Sequence, residues 1–190
     1  MPDASTPYVL VVVTASVRPD RIGHTVTRWF LRHLSGLTCA TVDHIDLATL
    51  DLPGRLDGGG DTDEFTKRID RADAFVLVTP EYNHGYPGPL KTAIDTPYEQ
   101  WRAKPLGFVS YGGASGGLRA VEQLRNVMAE LHVTTMRTGV MIPNVHDAFD
   151  EHGEPRRPEH LEAALAEMVC QLNWWAPALN RARAHQPYAC

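Results

Sequence analysis

The chain has 190 residues, of which 43% are hydrophobic and 22% charged, a balance typical of one ordinary globular domain. Its formal net charge of -5 and the absence of a basic run exclude nucleic acid and anionic membrane surfaces as expected partners. The N-terminal apolar run is short and has no cationic segment before it, so we predict neither a signal peptide nor a membrane span. Cys39, Cys170 and Cys190 show no CxxC spacing. We therefore expect free thiols in a cytoplasmic protein.

The first half of the chain alternates between strand and helix patterns. Residues 8–14 form a largely β-branched run, which is typical of a strand covered on both faces. After a polar turn, hydrophobic residues recur at helical spacing from Val26 to Leu34. Residues 41–46 alternate and predict a second strand, whereas residues 52–60 are a loop on their Pro and Gly content.

The same alternation continues along the chain. Asp61 followed by Glu64 resembles a capped helix start, and that helix runs to about residue 72. Residues 74–79 predict an apolar strand, which a turn connects to a short helix at residues 90–94.

A fourth strand at residues 106–110 leads into a glycine-rich loop at residues 112–117. The hydrophobic stripe that follows, from Leu118 to Leu131, predicts a helix. Residues 134–140 predict a fifth strand, in spite of the arginine inside them.

A polar stretch and a long helix end the chain. We predict an exposed loop at residues 143–158, a helix at residues 161–179 and a loosely ordered tail after about residue 183. Strands that alternate with helices predict a parallel sheet with helices on both faces. Five such units favour an α/β fold, a flavodoxin-like three-layer, doubly wound, five-stranded parallel sheet of order 2-1-3-4-5, as a single domain spanning residues 1–190.

The loop after the first strand combines hydroxyl groups, arginines and a helix start. In open parallel sheets, ligands bind beyond the carboxyl ends of the strands, where the strand order reverses. Ser16, Arg18 and Arg21 lie in this loop, directly before Ile22 and Gly23. Because free N–H groups and the helix dipole stabilise anions, the loop predicts a phosphate site; an ordinary turn with surface arginines is the alternative. The loop matches neither GxxxxGK[ST] nor GxGxxG, which disfavours a triphosphate or conventional dinucleotide cradle.

The ends of the third and fourth strands carry groups suited to a flat ring. A heterocycle can stack near Tyr82 and form hydrogen bonds with Asn83 and the local backbone. In the glycine-rich loop, the scarcity of Cβ atoms lets the backbone approach a ring closely. A bent connection with surface side chains is the alternative for the first of these two loops. We interpret Glu81 as a solvated loop carboxylate rather than a general base.

Two segments, PEYNHGYPGPLKTAID (80–95) and YGGASGGLRAVEQLR (111–125), resemble the NADPH-dependent FMN reductase family. This flavodoxin-like group includes quinone, azo-dye and chromate reductases, and the similarity extends less specifically to about residue 183. The resemblance implies an enzyme that takes hydride from NADPH or NADH to FMN and passes the electrons to a small-molecule acceptor. It also implies a homodimer or a dimer of dimers, with the flavin near the interface.

The resemblance implies three FMN-binding segments. The phosphate loop maps to Ser16, Arg18, Arg21, Ile22 and Gly23. The ring-contacting loop maps to Pro80, Glu81, Tyr82 and Asn83. The second flavin loop maps to Gly112, Gly113, Ser115 and Gly116. We assign no catalytic acid.

Two alternatives remain for the function. Besides an NAD(P)H-dependent flavin reductase, the chain can be a quinone, azo or specialised-metabolite reductase with tightly bound FMN. The other alternative is a non-enzymatic electron carrier, which the mild charge disfavours. Arg119 and Arg125 bind either the phosphate of the nicotinamide nucleotide or neighbouring surface groups. Trp174 and Trp175 pack the last helix or a subunit interface. The nine histidines show no ligand spacing such as HExxH, so we expect no metal.

Overall fold

The computed structural model describes residues 6–189. Its strands are β1 (Val9–Thr14), β2 (Thr41–Asp46), β3 (Ala74–Pro80), β4 (Pro105–Tyr111), β5 (Thr134–Thr135) and β6 (Val140–Ile142). Its helices are α1 (Gly23–His33), α2 (Thr62–Arg71), α3 (Gly88–Asp95), α4 (Leu118–Glu130), α5 (Val145–Ala148) and α6 (Pro158–His185). Short 3₁₀ turns lie at Leu47–Thr49 and Glu99–Trp101.

All strand pairs in the sheet are parallel, and the order is β2-β1-β3-β4-β5 with β6 also paired to β4. The predicted order 2-1-3-4-5 is confirmed. The fifth strand, however, is not continuous from 134 to 140. In the segment between β5 and β6, the guanidinium of Arg125 donates hydrogen bonds to Thr135 Oγ1 and to the carbonyls of Met136 and Arg137.

Two apolar clusters cover the two faces of the sheet. On one face, α1 and α6 pack side chains such as Trp29 and Met168 against alternate residues of the strands. On the other face, α2, α3 and α4 pack side chains such as Phe65 and Leu124 against the intervening strand residues. Each fully buried large apolar side chain contributes about 1.5–3 kcal/mol. The predicted three-layer architecture is confirmed.

Two local predictions differ from the structure. Asp61 precedes α2, but its carboxylate accepts a hydrogen bond from Asp51 N at 2.8 Å instead of capping the helix. The predicted exposed loop at 143–158 contains α5, and its Val145 and Phe149 are buried. Phe149 packs edge-on against Trp29 at 6.1 Å, so this segment forms part of the core boundary.

The C-terminal helix extends further than the hydrophobic pattern predicts. α6 begins at Pro158 and ends at His185, and the Tyr188 hydroxyl lies 2.7 Å from His132 Nδ1. Among the described residues, Cys39 and Cys170 are exposed free thiols. Cys190 and residues 1–5 lie outside the described range. No helix within residues 6–189 combines the length and the apolar character that crossing a bilayer requires.

The turn from β4 into α4 requires glycine at position 117. Gly117 has φ +89°, and a Cβ there would lie 2.7 Å from Ser110 Cβ and 2.9 Å from Tyr111 N. The Ser110 hydroxyl donates to Gly116 O at 2.8 Å and holds the same turn. Gly117 is therefore constrained both by its backbone conformation and by the end of β4.

We expect Gly117→Ala to lower the free energy of unfolding by about 1–3 kcal/mol, because alanine is strained at positive φ and collides with β4. Urea unfolding measures this change. Gly113→Ala is the matched control in the same loop, since a Cβ there meets no atom within 4 Å and should leave stability within about 0.5 kcal/mol of the parent. Equal stability of the two variants would contradict the interpretation.

Candidate functional site

A cleft of about 350 Å³ opens at the carboxyl ends of β1, β3 and β4. This is the edge of the sheet where the strand order reverses, next to β1. Its walls come from the loops after these three strands and from the segment around α5. The lining residues are Ser16, Arg18, Asp20, Arg21, Ile22, Pro80, Glu81, Tyr82, Tyr111, Gly112, Gly113, Asn144, Val145, His146 and Asp147.

The structure brings most of the predicted site residues to this cleft. Those that line it are Ser16, Arg18, Arg21, Ile22, Pro80, Glu81, Tyr82, Gly112 and Gly113. Gly23 begins α1 directly behind Ile22. Asn83, Ser115 and Gly116 lie in the adjoining turns, outside the lining. The contacts of all these residues with FMN stay predictions.

Tyr82 connects two of the predicted binding loops. Its hydroxyl shares a hydrogen bond of 2.7 Å with the buried Ser16 hydroxyl. The Arg18 guanidinium lies over the Tyr82 ring, 3.9 Å from its centroid. Such a contact at an exposed site contributes about 0.5–1 kcal/mol, so Arg18 is held weakly and a stronger anionic partner can displace it.

The two arginines of the first loop differ in their surroundings. Arg21 donates to the Asp46 carboxylate at 2.6 Å and to Arg18 O at 3.3 Å, and its charge is balanced by this buried pair. Arg18 is exposed, and within residues 6–189 it has no ion pair. Arg18 is therefore the cation of this loop that is available to a ligand.

The N-terminus of α1 faces the cleft without a side-chain cap. Ile22 occupies the N-cap position, where an apolar side chain makes no hydrogen bond to the first turn. The first N–H groups of a helix have no intrahelical acceptors. Together with the helix dipole, they form a partial positive charge at the wall that contains Ser16 and Arg18.

Tyr111, which the sequence analysis missed, ends β4 in the wall of the cleft. It is 3% exposed, and its hydroxyl has no hydrogen-bond partner within the described residues. A Cβ on Gly23 would lie 2.5 Å from this hydroxyl, so the glycine makes room for it at the start of α1. Burial, followed by the nearby Tyr82, raises the pKa of Tyr111 and outweighs the lowering effect of the neighbouring Ser16 hydroxyl, which is close but not aligned for a hydrogen bond, so the phenol stays protonated and able to donate. The only sequence signal was an aromatic residue between a buried strand and a glycine-rich loop.

Asn83 occupies a two-residue hairpin turn. Tyr82 N donates to Gly85 O at 2.8 Å, and Gly85 N donates to Tyr82 O at 3.0 Å. Asn83 and His84 have φ of +49° and +68°, as a turn with two left-handed central residues requires. Turn geometry alone therefore favours asparagine at this position. The contact of the exposed Asn83 side chain with the flavin ring stays a prediction.

The interpretation of Glu81 as a solvated carboxylate is wrong. Its side chain is 8% exposed and accepts hydrogen bonds from Arg119 N at 3.1 Å and from the Arg119 guanidinium at 2.7 Å. Burial by itself raises the pKa of Glu81, but the hydrogen bonds from Arg119 and Ser115 outweigh it and leave the pKa below its ordinary value. Glu81 thus anchors the first turn of α4 to the loop after β3.

Both arginines of α4 are engaged by protein groups. Arg119 pairs with Glu81, and Arg125 donates to the segment between β5 and β6. The sequence leaves two roles open for these arginines, binding of the nicotinamide nucleotide phosphate or contacts with neighbouring groups. In the structure, both arginines make contacts with neighbouring groups. Arg125 in particular is held by several hydrogen bonds and by the Phe108 ring at 5.3 Å.

The segment around α5 supplies a wall that the sequence did not indicate. Asn144 N donates to Gly113 O at 2.8 Å, and Val145 N donates to Gly112 O at 3.0 Å. These bonds attach the segment to the glycine-rich loop and bring Asn144, His146 and Asp147 to the cleft. Within residues 6–189, no group of three His, Cys, Asp or Glu side chains is placed to hold a metal ion.

We expect Glu81→Gln to lower the free energy of unfolding at pH 7 by about 1 kcal/mol, because the charge-assisted bonds to Arg119 weaken. A carboxylate with a lowered pKa stabilises the fold above its ordinary value of 4.5, and this contribution is lost as the pH falls through the folded-state pKa. The difference from the parent should therefore shrink between pH 7 and pH 3 in urea unfolding. Glu122→Gln is the control, since this exposed partner of Arg125 lies 3.8 Å away and should have little effect. A Glu81→Gln protein as stable as the parent at pH 7 would refute the anchoring role.

Comparison with known proteins identifies the family. Residues 8–147 match the NADPH-dependent FMN reductase family. An NAD(P)H-dependent FMN reductase of Schizosaccharomyces pombe is 39% identical over 144 residues, 70% of this chain and 71% of the relative. A quinone reductase of Pseudomonas putida is 35% identical over 139 residues, 68% of this chain and 74% of the relative.

Solved structures share the fold. The flavoenzyme FerB of Paracoccus denitrificans, an NAD(P)H:(acceptor) oxidoreductase, aligns with a TM-score of 0.72 at 22% identity over 90% of this chain and 98% of that chain. At this identity the likeness supports the fold, and the family assignment depends on the sequence matches. The chain belongs to the NADPH-dependent FMN reductase family and is an oxidoreductase.

Proposed function

We propose that this enzyme holds FMN in the cleft after β1, β3 and β4 while hydride passes from a nicotinamide cofactor to the flavin and electrons pass on to a small-molecule acceptor. The observation that carries the proposal is the Tyr111 hydroxyl, which is buried at the uncapped start of α1 and has no hydrogen-bond partner within residues 6–189. A buried hydroxyl without a partner costs about 1–3 kcal/mol, and a phosphate oxygen at this helix end would accept its hydrogen bond.

The α1 side of the cleft fits a phosphate monoester. The free N–H groups of the helix, the Ser16 hydroxyl and the exposed Arg18 guanidinium supply donors and positive charge. The Tyr111 phenol adds a further donor from the end of β4. Arg21 contributes indirectly, since its bond to Arg18 O holds the loop in place. We assign Ile22 and Gly23 to this site through their backbone.

The opposite side of the cleft fits a flat ring. The Cβ direction of Gly113 is open for at least 4 Å, so backbone rather than side chain faces that space. Gly112 and Pro80 also line the cleft, next to the aromatic ring of Tyr82. We propose that this surface contacts the flavin ring, with Glu81, Asn83, Ser115 and Gly116 holding the two adjoining turns.

FMN, when bound, supplies the redox chemistry by accepting hydride and passing electrons on. The residues of the chain bind the phosphate, position the ring and keep the Tyr111 proton in place as a donor. This division of tasks requires no acid or base among the lining residues, and we assign no catalytic acid. Because a relative in Pseudomonas putida is named a quinone reductase, we propose quinones as the acceptors.

We further propose that residues 1–190 act as one FMN-binding domain that forms a cytoplasmic homodimer or dimer of dimers. The packing of α6 against the sheet supports one domain, since Met168 and Leu172 lie over Gly107 of β4. Exposed Trp174 supports an interface on α6, where it packs edge-on against Trp175 at 4.9 Å. The exposed free thiols suit a reducing compartment. Light scattering during size-exclusion chromatography distinguishes the assemblies, and a monomer would refute this part of the proposal.

The first experiment is an absorbance spectrum of the purified protein with and without added FMN, followed by anaerobic NADPH. Yellow bands that NADPH bleaches are the expected result and indicate a bound flavin. Sustained NADPH oxidation only with excess FMN would indicate that free flavin is the substrate. A protein that neither binds FMN nor supports oxidation would overturn the proposed function.

We expect Tyr111→Phe to weaken FMN binding about tenfold or more, because a hydrogen bond to a charged phosphate is lost. Riboflavin, which lacks the phosphate, should bind this variant as it binds the parent. Flavin fluorescence titration measures both affinities. Since the removed hydroxyl has no hydrogen-bond partner among the described residues, the ligand-free variant should be at least as stable as the parent in urea.

Tyr8→Phe is the matched control. Tyr8 is also a buried tyrosine, but its hydroxyl forms hydrogen bonds with Asn173 and Thr38, outside the cleft. This variant should lose stability and keep its FMN affinity. Equal losses of FMN and riboflavin affinity in Tyr111→Phe would place the hydroxyl at the ring and contradict the phosphate assignment.

A further inference from the structure

A second cleft, of about 530 Å³, lies beside the first. Asn144 and Asp147 line both clefts, so the two spaces meet at α5. The second cleft is bounded by the end of β6, by α5 and by the start of α6. Nothing in the proposed binding of FMN uses this space.

The outer wall of the second cleft is cationic. Arg156, Arg157 and His160 line it, and both arginines are exposed. Within the described part of the chain, neither guanidinium has an ion pair or a side-chain hydrogen bond, in contrast to Arg21 and Arg125. Asp147 is the acidic residue of the lining, at the junction with the first cleft. Two guanidinium groups without partners therefore converge on one concave surface.

The start of α6 adds to the same wall. Arg157 is its N-cap residue and makes no side-chain cap, and Pro158 follows at the first helical position. The free N–H groups of the first turn and the dipole of this long helix favour an anion there. A helix end alone would not define a ligand site, but here it coincides with two unpaired guanidinium groups and a cavity.

The inner wall of the second cleft is apolar. Met141 is 40% exposed there, beside Pro143 and the start of α6 at Leu161. A thioether side chain adapts to flat rings, and apolar walls with a few convergent polar groups are typical of small-molecule sites. The combination of this surface with guanidinium groups fits a purine nucleotide that carries a phosphate.

The geometry limits where the two halves of a nicotinamide cofactor can lie. In the proposed function, FMN fills the first cleft and its phosphate takes the start of α1, so the adenosine half must lie outside that cleft. The second cleft is continuous with the first through Asn144 and Asp147. The guanidinium groups of α4 are held by protein contacts, whereas those of Arg156 and Arg157 have no ion pair or hydrogen bond within residues 6–189.

We propose that the second cleft binds the adenosine 2′-phosphate of NADPH, with Arg156 and Arg157 as its partners, and that it thereby favours NADPH over NADH. This inference rests on the proposed function for the choice of ligand. Guanidinium groups pair with phosphate through parallel hydrogen bonds, which the 2′-hydroxyl of NADH cannot replace. Met141 and Leu161 form the apolar floor beside the adenine.

The direct test measures binding of adenosine 2′,5′-bisphosphate and of 5′-AMP to the full-length protein by calorimetry. We expect the parent to prefer the bisphosphate and Arg156→Ala/Arg157→Ala to lose about tenfold to hundredfold of that affinity, with binding of 5′-AMP little changed. The control is Arg28→Ala/Arg181→Ala, which removes the same charge from two exposed positions outside both clefts. It should bind both nucleotides as the parent does.

Steady-state kinetics supply the second readout. Arg156→Ala/Arg157→Ala should raise KM for NADPH by about tenfold to hundredfold, the factor expected for the loss of bisphosphate affinity. KM for NADH, both kcat values and the FMN affinity should stay near those of the parent. Unchanged binding of the bisphosphate in this variant would overturn the inference, as would a parent that binds 5′-AMP equally well. A rise only in the KM of a sulfonated azo dye would also overturn it, since the cleft would then hold the acceptor. If the bisphosphate binds as expected but FMN does not bind, the assignment of the second cleft as a phosphate site is supported and the proposed function is refuted.

Discussion

The parallel ladder between β1, β3 and β4 is the constraint on which the site depends. It pairs Thr14 with Val78 and Pro80 with Tyr111, so these strands end at one edge of the sheet. The ladder continues one step further, because Ala15 N donates to Val78 O and Glu81 N to Tyr111 O, each at 2.9 Å. A slip of one residue would turn every side chain of a strand to the opposite face. The Tyr111 phenol would then leave the α1 side of the sheet and the phosphate end of the cleft would lose its buried donor.

Charge pairing around the cleft separates scaffold from ligand site. The ion pair of Arg21 with Asp46 connects the loop after β1 to β2, and the ion pair of Glu81 with Arg119 connects the loop after β3 to α4. These pairs are partly shielded from solvent, so they hold the loops more firmly than exposed ion pairs would. Arg18 is left in a weak contact with an aromatic ring. A chain with a net charge of -5 can therefore present a local anion site on the side of Arg18, because Asp46 and Glu81 are paired with arginines, although Asp20 and Asp147 also line the cleft.

Several features of the cleft carry a cost in the absence of ligand. Within residues 6–189, the Tyr111 hydroxyl has no hydrogen-bond partner and α1 has no side-chain cap. Asn144 in the wall of the cleft, and Asn83 and His84 in the adjoining turn, adopt left-handed conformations. Each non-glycine residue in such a conformation costs about 1–3 kcal/mol, and such costs cluster at functional sites. The surrounding sheet sustains them through its two apolar cores. Bound phosphate would supply the missing hydrogen-bond partners, so FMN should stabilise the fold as well as equip it for chemistry.

The sequence by itself determined the first four strands, their order and the loops that form the cleft. β1, β3 and β4 are largely buried and appear as continuous apolar runs, whereas β2 is partly exposed and alternates, and the ends of the strands carry the polar residues. Tertiary structure alone decided the contacts between distant segments. Arg125 on α4 donates to the segment between β5 and β6, and Glu81 meets Arg119 across 38 positions. Gly23 makes room for Tyr111, and buried Phe149 brings a polar segment to the wall of the second cleft. No periodic pattern in the sequence indicates these contacts, because each depends on where the folded sheet places residues that are far apart in the chain.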